Sequence, residues 1–99
     1  MRERDIERHL VERVKALGGE VRKVVWQGRR GAPDRLVMLP YQGVDAWGDL
    51  LPTAIWVELK TPGVKPEPHQ LREHERMRKM GQRVDVIDSI EGVEELLNG

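Results

Sequence analysis

Two short segments of this 99-residue chain place acids and a lysine where their charge demands an explanation: Gly31-Ala32-Pro33-Asp34 and Val57-Glu58-Leu59-Lys60. The second closes the apolar run Ala54 to Leu59, bounded by Pro52 and Pro62, which is the clearest strand signal in the chain. Side chains alternate along a strand, so Trp56, Glu58 and Lys60 share one face and Ile55, Val57 and Leu59 the other. A strand this apolar belongs in the middle of a sheet. Charges at its end are then either a structural ion pair or a working group, because burying them is costly unless they are paired or bind a metal. Glu58-Leu59-Lys60 alone recurs by chance and decides nothing.

Asp34 adds the second carboxylate. Pro33 sets the approach to the next strand, Leu36 to Leu39, and Asp34 stands at its entrance. If the two strands are neighbours, Asp34 and Glu58 converge at one sheet edge. Two carboxylates, a backbone carbonyl and waters make the octahedral oxygen site that Mg²⁺ prefers. A lysine two residues past one ligand would border that site, where it can orient an attacking water and stabilise charge on a phosphate.

Composition narrows the chemistry. There is no Cys, which excludes disulfides, thiolate metal sites and Cys nucleophiles. His9, His69 and His74 have no shared ligand spacing, leaving oxygen donors that suit hard ions such as Mg²⁺ or Mn²⁺. His74 reads as a partly buried helix residue. Net charge is zero, but the basic residues Arg22, Lys23, Arg29, Arg30 and Arg35 cluster against the single acid Asp34, whereas no base follows Arg83. Such asymmetry suits a nucleic-acid-binding face backed by an acidic side. Arg29, Arg30, Lys23, Arg35 and Lys65 are the candidate phosphate contacts. No apolar run approaches the ~18 residues of a membrane span, so a cytoplasmic protein of a bacterium or phage-infected host is expected.

The remaining elements must position these groups. Ile6, Leu10, Val14 and Leu17 give residues 3–17 an amphipathic helical stripe, stopped by Gly18-Gly19. Val21 to Trp26 reads as the first strand, and Gln27 to Pro33 as a Gly- and Arg-rich loop. Tyr41 to Pro52 is a turn-rich excursion. A helix is expected from about His69 to Met80, a fourth strand from Val84 to Ile87, and a last helix starting at Asp88 with Glu91 in capping-box spacing. Trp26, Trp47 and Trp56 read as core or interface, with Trp47 in the excursion able to stack on a base or a second subunit. The order α-β-β-β-α-β-α predicts one domain, residues 1–99, of α/β (α+β) class: a mixed four-stranded sheet flanked by helices.

The ordered set of motifs resembles the PD-(D/E)XK nuclease superfamily and, more narrowly, the virus-type replication-repair nuclease (VRR-NUC) family. The resemblance spans nearly the whole chain. It takes in Asp5-Ile6-Glu7, Gly18-Gly19, Lys23, Gly31-Ala32-Pro33-Asp34, Val57-Glu58-Leu59-Lys60, Gln70 and Val84-Asp85-Val86-Ile87-Asp88-Ser89. It departs at residues 40–53, which are longer than the usual short hairpin. The resemblance implies an αβββαβ core with a C-terminal helix. Asp34 and Glu58 would be metal ligands, with the Leu59 carbonyl as a third. Lys60 would be the catalytic lysine, and Glu7 would hold a water or a second metal, with Glu3 as the runner-up. Gln70 would point its amide toward the site.

The expected activity is Mg²⁺- or Mn²⁺-dependent hydrolysis of DNA phosphodiesters, by one metal or two. The family includes junction-resolving members, and cutting both strands needs two active sites, so a two-fold homodimer that resolves four-way junctions is expected. The competing expectations are a non-catalytic DNA-binding module and a structural domain of a phage or replicative assembly. Neither requires a divalent metal.

Overall fold

A computed structural model describes residues 1–98. Helix α1 (Glu3–Ala16) is followed by strands β1 (Glu20–Lys23), β2 (Arg35–Met38) and β3 (Ala54–Leu59), helix α2 (Pro68–Lys79), strand β4 (Val84–Ile87) and helix α3 (Ile90–Asn98). The strands lie in chain order, β1-β2-β3-β4. β1–β2 and β2–β3 pair antiparallel, and the crossover through α2 makes β4 parallel to β3. β3 is central, as its apolar sequence requires.

The alternation along β3 sorts the two faces. Ile55, Val57 and Leu59 are buried, together with Val37, Leu39 and Ile87, beneath Ile6, Leu10 and Val14 of α1 and Val93 of α3. His9 Nε2 and Arg13 Nε both bond Glu94, joining the two helices across that layer. α2 covers the other face with Met77 and His74, and Arg78 donates two hydrogen bonds to the Val84 carbonyl of β4. The end of α1 runs so close to β2 that a Cβ on Gly19 would sit 2.2 Å from the Met38 carbonyl oxygen. A side chain there would force helix and sheet apart.

The boundaries of α1, β2 and α2 fall within one residue of the sequence expectation, and β1 and the start of α3 depart further. β1 is Glu20–Lys23, not Val21 to Trp26. Val24 N–H still donates to the Asp34 carbonyl at 2.9 Å, but Val25 is exposed and the Trp26 indole turns to the Pro33 carbonyl. α2 runs Pro68–Lys79, with proline at its start, where its missing N–H costs nothing. α3 is capped by Ser89, whose Oγ accepts the Gly92 N–H at 2.9 Å, and not by Asp88. The excursion ends in a tight turn: Asp45 Oδ1 accepts N–H groups of Trp47 and Asp49, and Val44 bridges Leu50. It carries Trp47 into solvent, 85% exposed.

Candidate active site

Asp34 reaches its position because the loop before it is held from several sides. Trp26 Nε1 donates to the Pro33 carbonyl at 2.8 Å, and Val24 N–H to the Asp34 carbonyl. The Trp26 ring packs at 5.1 Å on Trp56, two residues before Glu58 on the same strand face. Gly31, with φ +86°, lies against the start of α2; a Cβ there would be 2.9 Å from the His69 carbonyl oxygen. Only glycine meets both demands.

Pairing then brings the carboxylates together. Arg35 lies opposite Val57 in the antiparallel register. Continued by one residue, that register sets Asp34 opposite Glu58, and residues directly opposite share a face. Lys60 follows at once, its backbone N–H donating to the Ile87 carbonyl of the parallel neighbour. The start of β2 and the ends of β3 and β4 thus meet at one sheet edge.

The electrostatics show the strain of that meeting. Burial raises Glu58 from 4.5 to about 7; Asp34 and Glu3 push the same way, while Lys60 and Arg35 oppose. Its side chain is only 12% exposed, and among the described residues neither carboxylate oxygen accepts a hydrogen bond. An under-compensated buried carboxylate facing a second one is a hard-oxygen donor set that fits a divalent cation. Asp34, Glu58 and a strand carbonyl such as that of Leu59 could hold one. Among the described residues, no group of three acidic or imidazole side chains is already gathered as a ligand cluster.

Other candidate residues are placed as follows. Glu7 accepts from both Nε and Nη2 of Arg35, whose Nη1 lies 3.0 Å from Asp34 Oδ1. Arg35 is therefore taken up between two acids, and its own pKa is raised by those partners against the lowering effect of burial. Glu3, one turn before Glu7, is the α1 acid whose field reaches Glu58. Gln70 Oε1 accepts the Glu67 N–H at 2.8 Å, tying the start of α2. Arg29 Nε lies 3.3 Å from buried Glu73, which Arg76 also bonds. Lys23, Arg30 and Lys65 are exposed. A cavity of about 460 Å³ lined by Leu39, Trp47, Leu51, Ile55 and Leu96 opens on the other face of β3 and includes none of these groups.

Sequence reasoning missed three contributors: the Arg35 bridge, the Trp26 tether and the approach of His74 to Glu58. Only His74 left a signal, since its burial was expected and it stands one helical turn after Gln70.

Comparison with known proteins supplies the family. No family model matches the chain. A protein of Acyrthosiphon pisum secondary endosymbiont phage 1, named "Putative nuclease p44", is 48% identical over 89 residues, covering 90% of this chain and 85% of its own. A solved structure of a "VRR_NUC domain" superposes with a TM-score of 0.76 at 44% identity, covering 97% of this chain and 94% of that one. With the mixed sheet, the Pro33-Asp34 approach and the Glu58-Leu59-Lys60 strand end in place, the chain belongs to the VRR-NUC nuclease family.

Proposed function

We propose that this protein is a Mg²⁺- or Mn²⁺-dependent deoxyribonuclease that hydrolyses phosphodiester bonds at the edge formed by Asp34, Glu58 and Lys60. The observation that carries the reading is the pair of facing carboxylates, one of them held near pKa 7 by burial, beside a lysine. Structural ion pairs are ordinarily arranged to relieve such a charge; here Lys60 relieves it only in part. A divalent cation bound by Asp34, Glu58 and the Leu59 carbonyl would supply Lewis acidity and lower the pKa of a bound water.

The remaining work belongs to the chain itself. Lys60 places positive charge beside the phosphate, where negative charge develops during attack. Exposed Lys23, Arg30 and Lys65 supply backbone contacts, which position nucleic acid without reading its sequence. Glu7 and Glu3 bring acids from α1 to the border of the site. Two such sites are needed to cut both strands of a duplex or a four-way junction, so the working unit is a two-fold homodimer. Exposed Val44, Trp47 and Leu50 on the excursion support an association surface there.

The test is cleavage of a labelled four-way junction beside linear duplex and single-stranded DNA, with Mg²⁺, Mn²⁺ or EDTA. The parent cuts with metal and not with EDTA. Lys60→Ala and Asp34→Asn lose about 100-fold or more in rate while still binding DNA. Symmetric nicks on the junction identify a dimeric resolvase. Equal cutting by the parent and both variants refutes the site. DNA binding without metal-dependent cutting of any of the three substrates replaces the enzyme with a binding module.

A further inference from the structure

His74 is 0% exposed, on the face of α2 that covers the sheet, and among the described residues neither ring nitrogen has a hydrogen-bond partner. Leaving a buried polar group unsatisfied is destabilising. Leucine or methionine would fill similar space without that cost, so the imidazole is an expensive choice on packing grounds alone.

What faces it is Glu58. His74 Nε2 lies 3.5 Å from Glu58 Oε1, a few tenths of an ångström beyond hydrogen-bond length. A neutral imidazole carries a single N–H. A carboxylate can only accept, so an ionised Glu58 selects the tautomer with the proton on Nε2.

We infer that His74 is the positioning residue for Glu58: its Nε2–H donates to Oε1, holding the carboxylate in place and leaving Oε2 for a cation. His74 touches neither substrate nor metal. It acts through Glu58, as hydrogen-bonding groups behind a ligating carboxylate do, and their removal typically lowers metal affinity by about 10–100-fold. The inference rests on the reading of Glu58 as a metal ligand.

The experiment uses the whole chain without DNA. The imidazole tautomer of the metal-free parent is read by ¹⁵N NMR at a pH well above the Glu58 value of about 7. Mn²⁺ affinity and unfolding free energy in EDTA are measured for the parent, His74→Leu and His74→Gln. The Nε2–H tautomer is expected. His74→Leu is expected to be folded in EDTA, yet to bind Mn²⁺ about tenfold or more weakly. His74→Gln, with a side-chain N–H₂ able to reach Oε1 from the same helix position, recovers most of the affinity. The Nδ1–H tautomer overturns the inference, and decides the matter even if His74→Leu fails to fold. Parent-like affinity in His74→Leu also overturns it, as does a His74→Gln no better than Leu. A parent that binds no Mn²⁺ removes the metal reading and this inference with it, whereas the other failures leave the metal reading intact.

Discussion

Burial holds the Glu58 carboxyl up at about 7, against 4.5 for an ordinary glutamate, and this makes the stability of the metal-free protein sensitive to pH at the acid proposed as a metal ligand. A carboxyl with a raised folded-state pKa binds more protons folded than unfolded between those two values. Stability therefore falls as pH rises from 4.5 to 7, stays reduced above 7, and is unaffected below 4.5. At about 1.36 kcal/mol per pH unit, the full shift would be worth about 3 kcal/mol, and solvent contact at the rim of the site reduces this to about 2 kcal/mol. Glu58→Gln keeps the shape and removes the charge. In EDTA near pH 8.5 it should be about 2 kcal/mol more stable than the parent, or about 10 °C in Tm for a domain this size. Near pH 4.5 the gap should largely close. Urea unfolding of both proteins at the two pH values is the assay. Added Mn²⁺ should reverse the order at high pH by stabilising the parent alone. A parent–variant difference that does not change with pH would refute the account of Glu58 as an under-compensated buried acid.

Three further outcomes follow from the geometry. Arg35→Met leaves Glu7 and Asp34 without their shared cation; because both acids are partly exposed, the cost is about 1–2 kcal/mol in EDTA at low salt, partly recovered by Mn²⁺, as titrated unfolding curves would reveal. Gly31→Ala combines a left-handed backbone with a contact on the His69 carbonyl and should cost about 2 kcal/mol or more. Gly28→Ala, left-handed but unobstructed, should cost about 1 kcal/mol, so equal losses in denaturant would contradict the docking of loop 27–33 on α2. Trp26→Phe keeps a ring against Trp56 but loses the bond to Pro33, with about 1 kcal/mol of stability. Mn²⁺ calorimetry should show weaker binding in that variant, since the approach to Asp34 is loosened; unchanged affinity would mean that the tether does not position the site.

Much of this architecture was legible along the chain, and the reason is locality. Strand alternation in Ala54–Leu59 assigns Glu58 and Lys60 to one face without any tertiary information, because side-chain direction follows from the pleat. The helical stripe of Ile6, Leu10 and Val14 assigns the buried side of α1 in the same way. The ordered motifs were enough to point to the family before any geometry was known. What depended on long-range packing stayed hidden. Nothing local distinguishes Arg35 on a phosphate from Arg35 between Glu7 and Asp34, since the partner acid lies 28 residues away on another element. Trp26 reads as a strand residue until its indole finds the Pro33 carbonyl, and β1 ends early for that reason. That the Gln70 oxygen accepts the Glu67 N–H at the start of α2 is likewise a fact of the folded helix end. The burial of His74 against Glu58, and with it the charge state of the acid, is set by where α2 lands on the sheet. Local pattern decides which face a side chain takes; only the packed structure decides what it meets there.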